Sequence, residues 1–238
     1  MDDRRAVILA GGQGSRLRPF TFAIPKPLIP VGDLPIIEIL LRQLSHYGFT
    51  RVSVAVGYHR ELIRSFCGDG SRWGIRVDYL VEDEPLGTAG SLAMLDERAL
   101  DRVLVINGDT LTDMDLRAVH DGHRSDDAMT VCIARRTVPL PFGSVERDAD
   151  DRLARYTEKP VLSYDAAMGI SIVSTRVLPT VLPAPEHIDM PELVHRFGRA
   201  GGTVRVHRSD DRWLDVGHLD ELEEATAIVE QNRALFIP

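Results

Sequence analysis

Glycines and fixed cations stand close together near the start of the chain, in the stretch VILAGGQGSRLRPFTFAIPKPLIPV at residues 7–31. Three glycines follow an apolar run directly, and they let backbone N–H groups approach an anion without a Cβ in the way. Arg16 and Lys26 follow in a loop that four prolines restrict. Amides, a guanidinium and an ammonium held in one loop suit a di- or triphosphate. The glycines are Gly11, Gly12 and Gly14.

This loop differs from the two best-known phosphate-binding motifs. No GK[ST] ends it, so it is not a Walker A loop. Gly12-Gln13-Gly14 is followed by Ser15-Arg16-Leu17, so the third glycine of a dinucleotide fingerprint is missing. A glycine turn with solvated side chains is the structural alternative, and the full spacing favours the polyphosphate loop.

A carboxylate stands at a corresponding place later in the chain. In VINGDT, Asp109 directly follows a predicted buried strand. In open α/β sheets, ligands bind beyond the carboxyl ends of the strands, where a carboxylate can hold Mg²⁺. Aspartate is also common in turns after strands, so this residue alone decides nothing.

A third stretch, VEDEPLGTAGSL at residues 81–92, is a candidate pocket for a nucleotide base. The segment after Pro85, which includes Gly87 and Thr88, consists of small or flat residues and would present backbone amides at a helix start. Guanine offers two adjacent donors, N1–H and N2–H, which suit a carboxylate such as Glu82, whereas uracil and thymine do not. A loop entering a tightly packed helix is the alternative interpretation.

Alternating strands and helices would position these groups. Such alternation implies parallel βαβ units with helices on both faces of a sheet, and the second half is less regular and partly antiparallel. We expect an α/β fold, a Rossmann-like three-layer sandwich with a mostly parallel central sheet. In the first half, the predicted strands are 6–10, 51–57, 75–82 and 102–108, and the predicted helices are 35–48, 59–70, 88–100 and 113–124. In the second half, strands are expected near 128–135, 142–147, 152–158, 166–174 and 203–208, and helices near 175–182, 190–200 and 218–233.

Composition limits the class of protein. The 238 residues are 44% hydrophobic and carry a formal net charge of −8, which suits one globular domain and argues against nucleic-acid or anionic-membrane partners. No stretch has the length of a transmembrane helix and the N-terminus lacks a signal-peptide core, so we expect a cytoplasmic protein. Cys67 and Cys132 show no metal-ligand spacing and are interpreted as reduced core residues.

Two histidines and two tryptophans receive structural interpretations. His120 and His123 lie three residues apart on a predicted helix, without a further ligand motif, and are expected at a solvent-facing helix end. Trp73 and Trp213 are expected to pack rather than to stack on a ligand.

The motif GGxGxRLxPxT followed by PKPLxPV resembles the sugar-phosphate nucleotidylyltransferases, also called nucleotide-sugar pyrophosphorylases. Within that family the chain is most similar to mannose-1-phosphate and D-glycero-D-manno-heptose-1-phosphate guanylyltransferases, from Ala6 to about Glu224. The resemblance implies the nucleotide-diphospho-sugar transferase fold and an Mg²⁺-dependent reaction of a nucleoside triphosphate with a sugar 1-phosphate. It implies one domain over 1–238, with a nucleotide half at about 1–125, an acceptor half at about 126–238 and no C-terminal β-helix domain. A homo-oligomer is among the assemblies it allows.

The resemblance also implies roles for single residues. Arg16, Lys26 and Asp109 would be catalytic, and Asp109 and Asp215 (in WLDVGHLDEL) would bind the metal ion. The expected nucleotide contacts are Leu9, Ala10, Gly11, Gly12, Gly14, Ser15, Arg16, Lys26, Glu82, Pro85, Gly87, Thr88, Asn107 and Gly108. The expected contacts of the sugar phosphate are Gly143 in PFGSV, Glu158 and Lys159 in YTEKP, and Gly169.

The chain departs from the family pattern on the acceptor side. Phe142 replaces the tyrosine of the family's YGxV, and Ala167 and Ser171 stand where many members read the Asn and Tyr of N-A-G-I-Y. The resemblance and Glu82 favour GTP as the nucleotide, with a phosphate of the mannose, heptose or cyclitol type as acceptor. Within that range, the departures favour a heptose, a modified sugar or a cyclitol over ordinary mannose 1-phosphate. Alternatives are the same reaction with dTTP, UTP or ATP and glucose 1-phosphate, a nucleotide-sugar-dependent glycosyltransferase, and a non-catalytic nucleotide-sugar-binding regulatory subunit.

Overall fold

A computed structural model describes residues 4–95 and 101–237 of the chain. The strands are β1 (Arg4–Leu9), β2 (Pro30–Val31), β3 (Leu34–Pro35), β4 (Phe49–Val56), β5 (Arg76–Val81), β6 (Arg102–Asn107), β7 (Thr110–Thr112), β8 (Asp127–Pro139), β9 (Ser144–Arg147), β10 (Leu153–Thr157), β11 (Val161–Ser174), β12 (Thr203–Ser209) and β13 (Trp213–Asp215). The helices are α1 (Ile36–His46), α2 (Arg60–Cys67), α3 (Leu116–Gly122), α4 (Leu178–Val181), α5 (Met190–Arg199), α6 (Leu219–Gln231) and α7 (Arg233–Phe236), with 3₁₀ turns at Ser15–Leu17, Phe20–Phe22, Lys26–Leu28, Ser71–Trp73 and Gly90–Met94.

A seven-stranded sheet in the order β12-β8-β11-β6-β1-β4-β5 takes strands from both halves of the chain. β11 runs antiparallel to both of its neighbours, and the other four pairings are parallel. The expectations of a mostly parallel sheet and of a partly antiparallel second half are therefore confirmed.

The central strands are buried on both faces, which explains their continuous apolar runs. On β1, Ala6 and Ile8 belong to a core cluster on the face covered by α1, α3 and α6, while Val7 belongs to a second cluster on the other face. Leu193 and Phe197 of α5 complete that second cluster. The sheet thus lies between two helical layers, as a three-layer sandwich requires.

Three small ribbons stand outside the main sheet, and two of them matter for the site. β7 and β13 pair antiparallel, with Asp215 opposite Thr110. β9 and β10 form a hairpin in which Thr157 is paired with Ser144. The third ribbon joins β2 to β3.

The predicted helix at 88–100 is wrong over its described part, and 96–100 lie outside the described residues. Gly90–Met94 is a 3₁₀ turn instead. The segment is tied instead to the loop before α5, since Ala89 donates its backbone N–H to the Ile188 carbonyl at 3.0 Å and the Thr88 hydroxyl accepts the N–H of Met190 at 2.8 Å.

The expectation of solvent-facing histidines is also wrong. His120 is buried against the ring of Phe49 at 5.5 Å, and His123 is buried with its Nδ1 at 2.8 Å from the Thr130 hydroxyl. Burial is the main cause that lowers the pKa of both imidazoles, so both favour the neutral form. The sequence pattern did not reveal these tertiary partners.

The other packing expectations are confirmed. Cys67 and Cys132 are free and buried, and burial raises the pKa of each thiol to about 12. Trp73 is buried in the core. Trp213 packs against the same core cluster, and the guanidinium carbon of Arg136 lies 4.5 Å from the centre of its ring. Among the helices of the described residues, none is long and apolar enough to cross a membrane.

Candidate active site

A cleft of about 270 Å³ opens where β1 and β6 end side by side. The register pairs Leu9 with Asn107, and the N–H of Gly108 donates to the Leu9 carbonyl at 2.9 Å. Parallel strands therefore deliver the glycine loop and the GDT stretch to one edge of the sheet. The cleft is lined by Leu9, Ala10, Gly12, Gly14, Ser15, Arg16, Lys26, Pro27, Gly108, Asp109 and Gly217.

The glycine loop places Lys26 within this cleft. Gly14 has φ +60°, and its carbonyl accepts the Thr21 hydroxyl at 2.9 Å. A Cβ on Gly14 would lie 3.0 Å from the Lys26 Cβ, so the stem of Lys26 passes over the glycine. Lys26 begins a 3₁₀ turn, and its ammonium forms an ion pair with Asp109 Oδ2.

Two carboxylates meet on the opposite wall. The N–H of Val216 donates to the Asp109 carbonyl at 3.1 Å, which sets the end of β13 beside the start of β7. Desolvation is the main cause that raises the pKa of Asp215, and the Asp109 carboxylate raises it further, while Lys26 lowers it. The proximity predicted for Asp109 and Asp215 is therefore present in the fold.

This pair fits a hard divalent cation. Asp109 Oδ1 is buried and has no hydrogen-bond partner within the described part of the chain. An oxygen of this kind, beside a second carboxylate, is a suitable ligand set because Mg²⁺ takes one or two carboxylates and fills the rest with water or phosphate. Across 4–95 and 101–237, no group of three or more His, Cys, Asp or Glu side chains is arranged to hold a metal ion, and Mg²⁺ does not require one.

Arg16 stands exposed at the lip of the cleft, close to Gly217. A Cβ on Gly217 would lie 3.8 Å from Arg16 Nη1. Glu221 Oε2 accepts the backbone N–H groups of Gly217 and His218, each at 2.7 Å, and so fixes this corner. Gly217 and Pro27 line the cleft without having been predicted, and the DVG sequence after Asp215 was the available signal for Gly217.

A second cavity of about 510 Å³ adjoins the cleft and shares Gly12 with it. Glu82 is buried in its wall, and a Cβ on Gly11 would lie 3.0 Å from both of its carboxylate oxygens. Glu82 Oε2 also accepts the Leu86 N–H at 3.2 Å. Its lining contains Gly11, Gly12, Glu82 and Pro85 from the predicted set, together with Gln13, Gly57, Tyr58, Arg60, Asp83 and Glu84.

Gly87 and Thr88 line neither cavity. A Cβ on Gly87, which has φ +72°, would lie 2.5 Å from the Ile188 carbonyl oxygen. Asp189 Oδ1 accepts from the N–H of Thr88 at 3.0 Å and from its hydroxyl at 3.2 Å. Their contacts therefore hold the segment that precedes α5, and the sequence prediction gains no support from geometry here.

The predicted acceptor residues form two groups. A Cβ on Gly143 would meet the Tyr156 hydroxyl and lie 3.2 Å from Glu158 Oε2, so these three residues cluster at the β9–β10 hairpin. Gly169 lies apart, where a bulge interrupts the β11–β8 pairing. It has φ +70°, and a Cβ there would lie 2.5 Å from Asn107 Nδ2. Gly169 thus joins the acceptor half to the nucleotide half, while Lys159 is exposed, with φ +44°, in the turn before β11.

This chain is similar to known proteins in both sequence and fold. The family described as Nucleotidyl transferase matches residues 5–232. A mannose-1-phosphate guanylyltransferase of Mycobacterium tuberculosis is 38% identical over 93% of this chain and 63% of its own length. A UTP–glucose-1-phosphate uridylyltransferase of Synechocystis is 31% identical over 93% of this chain and 62% of its own length.

Solved structures agree on the architecture. A Bacillus anthracis protein described as a glucose-1-phosphate thymidylyltransferase, solved with sucrose, is 26% identical with a TM-score of 0.76, covering 94% of each chain. HddC from Yersinia pseudotuberculosis, solved with GMP-PN, has a TM-score of 0.73 at 22% identity, covering 94% of this chain and 99% of that one, and supports the fold alone.

Proposed function

Since this chain belongs to the Nucleotidyl transferase family, we propose that it transfers a nucleoside monophosphate from GTP to the phosphate of a sugar 1-phosphate and releases pyrophosphate. The observation that carries the proposal is the cleft in which a glycine loop, Arg16 and Lys26 face Asp109, with Asp215 close enough to Asp109 for the two charges to interact. Cationic donors opposite a carboxylate pair suit a metal-bound triphosphate. A glycosyltransferase, which releases no pyrophosphate, has no need of the cationic loop.

The reaction needs charge neutralisation more than proton transfer. The second pKa of a phosphate monoester is about 6, so the acceptor is mostly a dianion at pH 7 and requires no general base. Its oxygen forms a bond to the α-phosphorus while the bond from that phosphorus to the bridging oxygen breaks and pyrophosphate leaves. The barrier is the repulsion between two polyanions, which positioning and preorganised donors reduce.

Each residue then has a defined task. Arg16 and the loop amides bind the β- and γ-phosphates, and Lys26 stabilises the charge that develops at the α-phosphate. Lys159 orients the acceptor phosphate in line. Asp109 and Asp215 would hold Mg²⁺, whose chemistry is to neutralise phosphate charge as a Lewis acid. In this scheme Lys26 leaves Asp109 for phosphate, whose oxygens replace the carboxylate as the anionic partner of the ammonium.

GTP is the favoured nucleotide for two independent reasons. The relative at 38% identity carries the name of a guanylyltransferase, and Glu82 offers carboxylate oxygens in the wall of the cavity beside the cleft. The uridylyltransferase name of the relative at 31% identity supports the alternative pair of UTP and glucose 1-phosphate.

The acceptor half favours a sugar 1-phosphate that places a larger group near residue 167 than mannose 1-phosphate does. Ala167 is exposed beside Gly169, and Ser171 is buried between Val105 and Val131 in the sheet. The short side chain at 167 leaves room for a heptose, a modified sugar or a cyclitol. High efficiency with mannose 1-phosphate would count against this part of the proposal.

The test is pyrophosphate release with Mg²⁺ and each of GTP, ATP, UTP, CTP and dTTP in separate wells, each with mannose, glucose and heptose 1-phosphates together. We expect release with GTP, slowed about 10²–10³-fold in Lys26→Ala. Release with another nucleotide would assign the transferase and correct the base. Silence in every well, together with no stabilisation of the fold by any nucleotide, would overturn the proposal.

A further inference from the structure

The β9–β10 hairpin carries two exposed aromatic side chains next to the predicted acceptor residues. Phe142 is 79% exposed and Tyr156 is 59% exposed. The hairpin pairs Tyr156 with Val145, and the Leu140 N–H donates to the Pro160 carbonyl at 2.9 Å, which draws the loop before β9 onto the turn after β10. Large exposed rings at a fixed place on the surface favour a ligand contact over a packing role.

The Tyr156 hydroxyl is engaged with the same carboxylate that we assign to the sugar. It donates to Glu158 Oε2 at 3.1 Å. A Cβ on Gly143 would collide with this hydroxyl, so the glycine is what lets the ring lie against the loop. Glu158 Oε2 is thereby fixed, and Oε1 remains to accept from a ligand hydroxyl.

We propose that Tyr156 is a positioning residue that sets the acceptor specificity by aiming Glu158 at a hydroxyl of the sugar ring. This inference rests on the proposed function and extends it to a residue to which the resemblance assigns no role. The phenol donates to the ionised carboxylate, and its ring presents an apolar face for the C–H groups of a pyranose or cyclitol. Phe142, whose side chain has no hydroxyl, leaves this polar task to Tyr156.

The position of the hairpin outside both cavities predicts a kinetic effect on the acceptor alone. Among the residues described, Tyr156 and Glu158 line neither the cleft nor the second cavity, whose wall contains Glu82. Removal of the hydroxyl in Tyr156→Phe should therefore raise the KM for the sugar phosphate about three- to tenfold, the scale of one partly exposed hydrogen bond, and leave the KM for GTP unchanged. In a Glu158→Gln background the same loss should add little, because the carboxylate it aims is gone.

The experiment compares Tyr156→Phe with Tyr164→Phe, an exposed tyrosine of β11 that is 51% accessible and serves as the matched control. Steady-state kinetics measure both KM values and kcat with the best acceptor. Saturation-transfer NMR with mannose, glucose and heptose 1-phosphates, without nucleotide, measures contact independently of turnover.

We expect a raised acceptor KM and weaker NMR transfer in Tyr156→Phe only. Unchanged values in Tyr156→Phe, an equal rise in the KM for GTP, or a full additional loss in the Glu158→Gln background would overturn the inference. A wild-type protein that releases no pyrophosphate and is stabilised by no nucleotide, but still shows Tyr156-dependent contact, would overturn the proposed function and keep the positioning role. A wild-type protein that contacts none of the three sugar phosphates would overturn the inference.

Discussion

Lys26 and Asp109 form an ion pair across the cleft, although 83 residues separate them in sequence. Lys26 belongs to the proline-restricted loop, and Asp109 belongs to the turn after β6. Under the proposed function, the pair places a cation where the triphosphate would lie and a carboxylate where its metal ion would lie. The contact would then bring the glycine loop and the turn after β6 to one ligand.

Replacement of this lysine tests its part in the chemistry. Lys26→Ala should lower kcat by about 10²–10³, the scale of one lost transition-state donor. Arg18→Ala is the matched control, because Arg18 is an exposed cation of the same loop that lies over the Phe22 ring at 4.9 Å. The control should stay within about threefold of the wild type. A loss below about tenfold in Lys26→Ala would remove Lys26 from the reaction.

The raised pKa of Asp215 predicts a pH-dependent stability. Its folded pKa lies above the unfolded value, so the carboxylate destabilises the fold at neutral pH, and this cost disappears as the pH falls through the folded pKa. In buffer without divalent cations, Asp215→Asn should therefore raise the free energy of unfolding at pH 7, with the gain shrinking toward acid pH. Urea denaturation at several pH values measures this, with the exposed Asp126→Asn as a control.

Divalent cations should reverse the order of stability of the wild type and Asp215→Asn. Mg²⁺ that binds the folded state raises its stability by mass action, and Asp215→Asn has lost one ligand. We expect Mg²⁺ to stabilise the wild type more than Asp215→Asn. Equal stabilisation of both would contradict a metal site at Asp109 and Asp215.

Gly169 gives a prediction about the joint between the two halves. Gly169→Ala should lower the free energy of unfolding by about 1–3 kcal/mol, because φ +70° is strained for alanine and the new Cβ would press on Asn107. Gly198→Ala is the opposite case, since a Cβ there meets nothing within 4 Å on α5 and should stabilise by about 0.5–1 kcal/mol. Urea denaturation compares the two; a neutral Gly169→Ala would mean that the bulge relaxes.

Glu82 gives a prediction about the base. Glu82→Gln should weaken the binding of GTP by about tenfold or more and reduce the preference for GTP over UTP, because a charged hydrogen-bond acceptor is lost. Glu84→Gln is the control, since Glu84 is an exposed carboxylate of the same cavity. KM values for GTP and UTP decide between them. A larger effect in Glu84→Gln would move the base contact from Glu82 to Glu84.

The edge of the sheet that carries the glycine loop and Asp109 was predictable because its signals are local. A buried strand followed by glycines, and a second strand followed by Asp109, are enough to place both groups at one edge of a parallel sheet. The register of β1 with β6 then brings Gly108 to Leu9. Nothing in this step depends on contacts between distant loops.

The remaining features depend on distant partners and left no local signal. Thr88 is held by Asp189, 101 residues away, so the helix pattern of the GTAG stretch was overridden by tertiary hydrogen bonds. Burial of His123 depends on Thr130 of β8, and the cluster of Gly143 with Tyr156 depends on the hairpin register. Asp215 was placed by resemblance, and its pairing beside β7 was not readable from its own surroundings.

The most direct test of the central claim follows the oxygen atoms of the acceptor phosphate. Wild-type protein would be incubated with Mg²⁺, unlabelled GTP and sugar 1-phosphates whose non-bridging phosphate oxygens are ¹⁸O, and the products would be read by mass spectrometry. The account predicts a guanosine diphosphate sugar that retains all of the label, together with unlabelled pyrophosphate. Label in the pyrophosphate, or hydrolysis of GTP without a nucleotide-sugar product, would contradict attack of the acceptor phosphate on the α-phosphorus.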